Sequence, residues 1–305
     1  MILIITHKTD YTADFVINKL NQKQIPYKRL NCEDIFNNNF HIRFNPKYSY
    51  SILGENFYKS VWFRRTKLPE ISGLKNEEKL YVLNETESFF KNIFASLSAK
   101  WLSDPSAIFK AENKMLQLKI AQKIGFTIPD TIITNSKVEL LNFYQDCQRN
   151  IIIKPISHTR IQYQEGSSFV FTNPVTAQFI EDIENYDLTP CIFQHNISKE
   201  YEIRVTVVGD EVFPAAVYSQ SDIETRNDWR KKKLKFHKIE LPDIIQKKCL
   251  RLVKELNLEF GAIDLIKTPK GEYVFLEINP NGQWAWIESQ TGQEISKAII
   301  NFLNI

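Results

Sequence analysis

Two carboxylates and an amide near the C-terminus are spaced as metal ligands would be. Asp264 ends the apolar run 260–263, whereas Glu277 and Asn279 end a second apolar run beyond Pro269-Lys-Gly271. If the two runs form a β-hairpin, Glu277 and Asn279 project from one face and Asp264 can lie opposite them. Half-buried carboxylates are costly unless they are paired or metal-bound, and oxygen ligands suit Mg²⁺. The pattern predicts a Mg²⁺ site, with an ordinary polar strand face as the alternative.

Two lysines could supply the positive charge that nucleotide phosphates need. Lys114 lies in the first turn of a predicted helix, and Lys154 follows the apolar run 151–153. A lysine is a compact point charge that can bind phosphate where no glycine-rich loop provides backbone amides. Each lysine alone is also compatible with a solvated surface position. The prediction of phosphate binding therefore depends on the order of the two lysines along the chain and on the other candidate site residues around them.

A third polar group lies between the lysines and the predicted metal ligands. Glu202 and Arg204 are two residues apart in a predicted strand and therefore share a face. A carboxylate there can accept both ribose hydroxyls, and an arginine can bind a phosphate or an acyl phosphate. The preceding segment 193–197, Phe-Gln-His-Asn-Ile, leaves a strand in extended form and can offer backbone groups to an adenine edge.

The N-terminal elements predict a small parallel sheet. Ile2–Thr6 is apolar enough for a buried strand, and a second strand is predicted over 27–30. Between them, apolar residues follow the spacing i, i+3, i+4, i+7 of an amphipathic helix, namely Ala13, Val16, Ile17 and Leu20. A β-α-β order favours parallel pairing. A long helix is then predicted over about 77–100, and Asp104-Pro105 marks the first domain boundary.

The rest of the chain predicts an α+β arrangement with mostly antiparallel sheet. Helices are predicted over 113–124, after the capping box Ser136-Lys-Val-Glu139, over 242–256 and at the C-terminal end. Strands are predicted over 151–154, 169–172, 191–195, 201–208, 212–218, 262–267 and 273–279. Turn signals join the strand over 201–208 with that over 212–218, and the strand over 262–267 with that over 273–279, as hairpins.

Composition excludes several other classes of protein. The 305 residues include nine glycines, with no G-x-G and no G-x-x-x-x-G-K-[ST], so neither a Rossmann fingerprint nor a Walker A loop is present. A net charge of +3 is too small to predict a nucleic-acid binder. The basic cluster 230–233 is either a solvated loop or a surface that attracts an acidic partner. Four cysteines without a C-x-x-C pair, and no long apolar segment, predict a cytoplasmic protein without disulfides or membrane contact.

The order of these parts resembles the ATP-grasp ligases. The similarity is greatest to the branch that contains ribosomal-protein glutamate ligases and graspetide (microviridin-type) peptide ligases. The shared parts are Lys114 with Gly125 and Pro129, Lys154-Pro155, Phe-Gln-His-Asn-Ile197, Glu202-Ile-Arg-Val-Thr-Val-Val-Gly-Asp210, Ala-Ile-Asp264 and Phe-Leu-Glu277-Ile-Asn279-Pro-Asn-Gly282. The graspetide branch is favoured by Val-Trp-Phe-Arg64-Arg65, Asp228-Trp229-Arg230 and Asn-Gly-Gln283-Trp284-Ala-Trp286-Ile-Glu288.

The resemblance implies an ATP-grasp fold preceded by a parallel α/β domain, in three parts. Residues 1–108 would form the N-terminal pre-ATP-grasp-like domain. Residues 109–190 would form the central subdomain, with the ATP lid and the leader-peptide surface. Residues 191–305 would form the C-terminal subdomain with the Mg²⁺ site. The loop 157–166 is poorer in glycine than the phosphate-covering loop of most ATP-grasp enzymes, and Arg160 is a candidate to substitute with its side chain.

The resemblance also implies a role for each candidate residue. Mg²⁺ would be bound by Asp264, Glu277 and Asn279, and Arg204 and Lys154 would be catalytic. ATP would be bound by Lys114, Lys154, Gln194, His195, Asn196, Ile197, Glu202 and Arg204. The substrate peptide would contact Arg64, Arg65, Asp228, Trp229 and Arg230, with plain salt bridges as the competing explanation for the charged residues. For Trp284 and Trp286, packing competes with substrate contact and is favoured.

The activity implied is ATP-dependent peptide macrocyclisation. Asp or Glu side chains of an acidic, ribosomally made precursor, composed of leader and core, would be activated as acyl phosphates. Thr or Ser hydroxyls or a Lys amine of the same peptide would then capture them as esters or amides. The alternatives are a ligase that adds free amino acids such as glutamate, and an ATP-binding module without catalysis. The partners expected are the peptide and, as an open alternative, a second copy of the chain, with no nucleic acid and no membrane.

Overall fold

The computed structural model describes residues 1–157, 160–163, 166–187 and 189–304, with backbone only at 160–163, 167 and 169. In this part of the chain the helices are α1 Tyr11–Gln22, α2 Asn76–Ser96, α3 Pro105–Ala111, α4 Lys114–Lys123, α5 Lys137–Asp146, α6 Ala177–Glu181, α7 Asp243–Glu255, α8 Ala285–Thr291 and α9 Ile295–Leu303. The strands are β1 Ile2–Thr6, β2 Tyr27–Asn31, β3 Phe40–Arg43, β4 Ser49–Ile52, β5 Ser60–Phe63, β6 Lys100–Leu102, β7 Thr131–Thr134, β8 Ile151–Lys154, β9 Arg160–Tyr163, β10 Gly166–Phe169, β11 Asn173–Pro174, β12 Cys191–His195, β13 Tyr201–Val208, β14 Glu211–Val217, β15 Phe236–Lys238, β16 Phe260–Lys267 and β17 Tyr273–Asn279.

The N-terminal sheet has the order β2-β1-β5-β6, and all its pairs are parallel. Every residue of β1 is buried, because helices and the C-terminal sheet cover both of its faces. Helix α1 begins at Asp10, whose carboxylate accepts hydrogen bonds from the N–H groups of Thr12 and Ala13. The predicted parallel α/β region is therefore confirmed.

The predicted end of the long helix is wrong. Helix α2 stops at Ser96, and residues 100–102 form β6, which pairs in parallel with β5 at the edge of the sheet. Leu102 is buried there, so sheet formation and side-chain packing override the helical pattern. The helix α3 that follows was also missed, although Asp104 and Pro105 are its N-cap and first residue.

The central part of the chain forms a separate small sheet. Strands β11, β8, β12 and β7 lie in that order and are antiparallel. Their core includes Leu140, Tyr144, Ile151 and Phe193 and is separate from the two larger cores. The strand predicted over 169–172 is wrong, since β10 ends at Phe169 in a hairpin with β9. How the loop 157–166 and the Arg160 side chain would cover a phosphate lies outside the described residues.

The C-terminal sheet has the order β15-β14-β13-β16-β17 and is antiparallel throughout. It provides one wall of the candidate site. Its apolar residues share two cores with the N-terminal sheet: Ile203 and Ile263 belong to one core with Leu3 and Ile5, whereas Val208 and Phe260 belong to the other with Ile4 and Trp62. The predicted mixture of helices with mostly antiparallel sheet is confirmed. No helix in the described residues is long and apolar enough to span a bilayer.

Candidate active site

A cleft between the central and C-terminal sheets brings together most of the predicted site residues. The predicted residues that line it are Lys114, Lys154, Gln194, His195, Asn196, Ile197, Glu202, Asp228, Trp229, Arg230, Asp264 and Glu277. They come from α4, β8, β12, β13, β16 and β17 and from the segment after β14. Arg204 and Asn279 are not among the residues that line the cleft, but both contact the cleft residue Asp264.

The predicted metal ligands meet as the hairpin pattern requires. Asp264 of β16 lies opposite Glu277 of β17, and Asn279 lies opposite Ala262. The Asn279 Nδ2 atom is 3.4 Å from Asp264 Oδ2. A β-bulge shifts the register between Asp264 and Leu265, so that Leu276 and Glu277 both line the cleft although they are neighbours in sequence.

These oxygens fit a hard divalent cation. Among the described residues there is no group of three His, Cys, Asp or Glu side chains that could hold a metal ion. The candidate set is therefore two carboxylates and one amide oxygen, which leaves positions for water and phosphate oxygens, as Mg²⁺ prefers. Asn279 presents its NH₂ to Asp264 here, and a 180° flip of the amide would present Oδ1 to a cation instead.

Two cations pair with the carboxylates. Lys114 Nζ is 2.7 Å from Glu277 Oε2, and Arg204 Nε is 2.9 Å from Asp264 Oδ1. The Arg204 Nε atom is buried and makes no hydrogen bond of normal geometry in the described residues, so this ion pair is poorly aligned.

The pKa values of the two carboxyl groups move in opposite directions. Burial raises the pKa of Asp264, and Arg204 only partly offsets this effect. Burial alone would also raise the pKa of Glu277, but Lys114 outweighs it and holds that pKa below its usual range, assisted by Lys154. Glu277 is therefore the firmly ionised member of the pair.

Lys154 lies at the end of β8, as predicted, and points into the cleft. Its Nζ donates to Gln194 Oε1 at 2.7 Å, and Gln194 Nε2 donates to Thr131 Oγ1 at 2.9 Å. Burial lowers the pKa of Lys154 to about 8, although the negative charge of Glu277 opposes the shift. A lysine held this way has a strong electrostatic preference for an anionic ligand.

The segment predicted to contact adenine lines the cleft, but two of its backbone donors are already used. The His195 N–H donates to the Asp130 carbonyl at 2.8 Å, and the Asn196 N–H donates to the Asn150 carbonyl at 3.0 Å. The N–H of Ile197 makes no hydrogen bond within the described part of the chain. Ile197 is therefore the residue of this segment whose backbone donor is available to a ligand.

Glu202 is buried at the edge of the cleft and has two partners that sequence reasoning missed. Lys199 Nζ lies 2.9 Å from Glu202 Oε1, and Ser219 Oγ donates to the same oxygen at 2.6 Å. Lys199 precedes Glu202 by three residues, so its proximity could have been suspected. Ser219 comes from the turn after β14, and nothing in the local sequence connects it to Glu202.

The segment after β14 places Asp228, Trp229 and Arg230 at the cleft. Arg230 Nη2 lies 2.5 Å from Asp228 Oδ2, and the Thr172 N–H donates to the same carboxylate oxygen at 3.3 Å. Trp229 packs on Phe236 and Trp286, with ring centroids 5.1 and 5.8 Å apart. Asp228 is buried, whereas Arg230 is exposed and donates to Asp228 through both Nε and Nη2.

Arg64 and Arg65 occupy different environments, and neither lines the cleft. Arg64 is 1% exposed, lies 3.3 Å from Asp10 Oδ2, and donates to Asn281 Oδ1 at 3.1 Å and Gln283 Oε1 at 3.4 Å. This geometry favours the salt-bridge explanation for Arg64. Arg65 is exposed, and its predicted peptide contact stays a prediction.

The two tryptophans after the metal strand are packing residues. Trp284 is fully buried and packs edge-on against Phe15, and its Nε1 atom makes no hydrogen bond in the described residues. Trp286 packs on Phe236, with ring centroids 4.6 Å apart. The favoured packing alternative agrees with these contacts.

Comparison with known proteins identifies the family. A model of the RimK-like ATP-grasp domain matches residues 111–303, which include the central and C-terminal sheets and the whole cleft. The chain belongs to the RimK-like ATP-grasp family. The fold assigned from the sequence is thereby confirmed, and the N-terminal parallel sheet precedes the matched ATP-grasp region.

Solved ATP-grasp structures match over almost the whole chain. A Chryseobacterium gregarium RiPP-associated ATP-grasp ligase, in complex with ADP and a leader and core peptide, is 29% identical with a TM-score of 0.90, covering 99% of this chain and 96% of that one. Macrocyclase MdnC of Microcystis aeruginosa MRC, bound with precursor peptide MdnA, is 29% identical with a TM-score of 0.88, covering 100% and 99%. Macrocyclase MdnB of the same organism is 32% identical with a TM-score of 0.80, covering 99% and 98%.

Curated ATP-grasp relatives match over a shorter region. Alpha-aminoadipate--LysW ligase LysX of Sulfurisphaera tokodaii is 24% identical over 206 residues, which are 61% of this chain and 65% of LysX. A probable alpha-L-glutamate ligase of Haemophilus influenzae is 26% identical over 221 residues, 67% of each protein. The chain thus spans about two thirds of the length of the curated relatives it matches.

Proposed function

We propose that this protein is an ATP-dependent ligase that joins side chains of a ribosomally made precursor peptide. The observation on which this depends is that Lys114 and Lys154 line one cleft with Asp264 and Glu277, and that Lys114 and Arg204 form ion pairs with these carboxylates. Phosphoryl transfer is catalysed mainly by positioning and charge stabilisation, and this cleft is built for both. Similarity to peptide macrocyclases over the full chain supports a peptide substrate.

The residues of the cleft fit ATP and Mg²⁺. Asp264, Glu277 and Asn279 would hold the cation, Lys114 and Lys154 would bind the phosphates, and the Ile197 N–H would meet the adenine edge. When bound, ATP would supply the phosphoryl group that activates a substrate Asp or Glu carboxylate as an acyl phosphate with release of ADP, and Mg²⁺ would neutralise the phosphate charge. On binding, Lys114 would leave Glu277 and Arg204 would leave Asp264. Both side chains would then turn toward the phosphoryl group.

Arg204 would then stabilise charge during the transfer. Its guanidinium lies 5.7 Å from the ring centroid of Trp229, which limits its movement. A guanidinium is planar and always charged, so it can bind two oxygens of a phosphoryl or acyl phosphate group at once. The poorly aligned pair with Asp264 leaves the Nε donor without a hydrogen bond in the described residues.

The substrate peptide would enter beside Arg230. This arginine lines the cleft, and the basic cluster 230–233 continues from it, so an acidic core peptide would be attracted here. Arg65, exposed at the end of β5, is a second candidate contact. The three domains 1–108, 109–190 and 191–305, the leader surface on the central domain, the cytoplasmic location and the homodimer remain part of this proposal.

The main alternative is a ligase that adds free amino acids to a carboxylate. The curated relatives include a probable glutamate ligase, which favours this alternative over the matched region. The peptide function is preferred because the structures that match both the N-terminal sheet and the ATP-grasp region include complexes with peptides. An ATP-binding module without catalysis is disfavoured, because the charged residues of the cleft are all present.

One incubation separates these functions. The protein is mixed with ATP, Mg²⁺ and the acidic peptide encoded by the neighbouring short reading frame, and the peptide is weighed by mass spectrometry. Loss of one water mass per ring supports macrocyclisation, whereas a gain of amino-acid mass with added glutamate supports the alternative. The Glu277→Gln variant is the control that must leave the peptide mass unchanged. ATP binding without any turnover would indicate the non-catalytic module.

A further inference from the structure

Lys199 is a charged residue of the cleft to which none of the preceding functions is assigned. It lines the cleft, and its side chain is 9% exposed. Burial of a lysine costs free energy unless its charge is paired, and its ion-pair partner among the described residues is Glu202. Lys199 also lies close enough to Lys154 to lower the pKa of that lysine.

The contacts to Glu202 are distributed unequally between its two oxygens. Lys199 Nζ and Ser219 Oγ both contact Oε1, at 2.9 and 2.6 Å. The described residues make no hydrogen bond to Oε2. Because Glu202 lines the cleft, this is the carboxylate oxygen that a ligand can engage. One carboxylate oxygen is therefore fixed, and the other faces the ligand space.

Ser219 is itself held firmly in place. It is fully buried, and its carbonyl accepts a hydrogen bond from Thr225 Oγ1 at 2.8 Å. Gln220 Nε2 donates to Ser219 Oγ at 3.1 Å, which directs the hydroxyl proton toward Glu202. The Glu202 backbone is fixed between Val217 of β14 and Ile266 of β16. The Glu202 carboxylate is thus positioned by the backbone of β13 and by the side chains of Lys199 and Ser219.

We infer that Lys199 and Ser219 are positioning residues that orient the Glu202 carboxylate so that Oε2 accepts hydrogen bonds from the ribose of ATP. This inference rests on the proposed function, because it requires a nucleotide in the cleft. Lys199 holds Oε1 through an ion pair, and Ser219 selects the rotamer through its hydrogen bond to the same oxygen. Without them the carboxylate would turn, and Oε2 would no longer be directed at the ribose hydroxyl donors.

The test is the affinity for ATP compared with 2′,3′-dideoxyATP, measured by isothermal titration calorimetry on the full chain. The unaltered protein should bind ATP about tenfold more tightly, because a charged hydrogen bond is lost in the dideoxy nucleotide. Lys199→Met should weaken ATP binding about tenfold and change dideoxyATP binding by less than about twofold. Ser219→Ala should shift the ratio in the same direction by a smaller amount.

Two further variants make the test specific. In a Glu202→Gln background, Lys199→Met should cause no further change in the ratio, because the two residues act through one hydrogen-bond acceptor. Lys254→Met removes an exposed lysine paired with Asp210 and should leave both affinities unchanged. Circular dichroism establishes that each variant is folded, and Ser219→Ala replaces Lys199→Met if the latter fails to fold.

The outcomes are distinguishable. Equal weakening of ATP and dideoxyATP by Lys199→Met would mean that Lys199 binds phosphate, and it would overturn the inference. Equal binding of the two nucleotides by the unaltered protein would also overturn it while leaving ATP binding intact. Absence of binding to either nucleotide would overturn the proposed function, and this inference with it.

Discussion

Two buried arginine–aspartate pairs in this protein have similar composition and different surroundings. Arg64 lies 3.3 Å from Asp10, and its remaining donors are used by Asn281 and Gln283. Arg204 lies 2.9 Å from Asp264, but its Nε makes no well-formed hydrogen bond in the described residues. The first pair is satisfied within the protein, whereas the second has unused hydrogen-bonding capacity.

The difference distinguishes a structural pair from a candidate catalytic one. Asp10 also accepts from Thr6 Oγ1 and from the first N–H groups of α1, and despite its burial the charge of Arg64 holds the pKa of Asp10 below its usual range. The pKa of Asp264 instead rises on burial, because Arg204 does not fully compensate it. The pair whose arginine does not fully compensate the burial of the aspartate is the one that lies at the cleft.

The largest effect is expected for the cleft. Glu277→Gln should reduce ATP turnover by about 100-fold or more, because it removes the firmly ionised carboxylate while keeping the side-chain shape. The melting temperature should change little, since Lys114 and Glu277 are both partly exposed. Coupled detection of ADP release measures the first quantity. Near-normal turnover would contradict the assignment of Glu277 as a metal ligand.

Next in size is the effect of Arg64→Met on stability. Removal of one partner of a buried ion pair leaves Asp10 uncompensated and should lower the free energy of unfolding by about 3 kcal/mol. Denaturant titration measures this change. The matched variant Arg65→Met alters a neighbouring exposed arginine and should leave stability unchanged. Equal stability of the two variants would remove the structural role given to Arg64.

The penalty for Arg64→Met should depend on pH. The pKa of Asp10 in the folded protein lies below its ordinary value of 3.8, so its ion pair contributes stability above that pH and loses it as the pH falls through the folded value. The difference in stability between Arg64→Met and the unaltered protein should therefore be largest at neutral pH and shrink on acidification, because a buried Asp10 without Arg64 takes up a proton more readily. A difference that grows on acidification would contradict the ion-pair account.

A smaller effect is expected for Arg204→Lys. The charge is retained but the planar arrangement of donors is lost, so turnover should fall about tenfold with little change in stability. The corresponding Arg64→Lys variant should lower stability and leave turnover of the folded protein nearly unchanged. If Arg204→Lys lowered stability and Arg64→Lys lowered turnover, the Arg204–Asp264 pair would be the structural one and the Arg64–Asp10 pair the catalytic one.

The smallest effect is expected at the exposed arginine. Arg65→Ala should raise the KM for an acidic peptide by a few-fold and leave kcat unchanged, because an exposed charge contributes modestly to binding. The effect should diminish as salt is added. An unchanged KM at low salt would remove Arg65 from the peptide surface.

The sequence was most informative where strand periodicity and chemistry coincide. Alternation along β13 and β17 places Glu202 with Arg204, and Glu277 with Asn279, and the hairpin brings Asp264 opposite Glu277. The bulge between Asp264 and Leu265 could not be predicted, because it depends on how Phe275 and Leu276 divide between the core and the cleft.

Contacts between distant segments were beyond sequence reasoning. Arg64 follows an apolar strand just as a substrate-binding residue would, and its partners Asn281 and Gln283 lie more than 200 residues away. Ser219 reaches Glu202 through a turn without a distinctive pattern. Strand β6 was missed, and the preceding helix was predicted to end too late, because the edge position of β6 in the parallel sheet is set by tertiary pairing with β5.

The central claim, that the cleft activates a peptide carboxylate as an acyl phosphate, is tested most directly by isotope transfer. A precursor peptide whose Asp and Glu side-chain carboxylates contain oxygen-18 is incubated with the protein, ATP and Mg²⁺, and the released inorganic phosphate is analysed by mass spectrometry. The account predicts one labelled oxygen in phosphate for each ester or amide formed, and none with Glu277→Gln. Ring formation with unlabelled phosphate would contradict it.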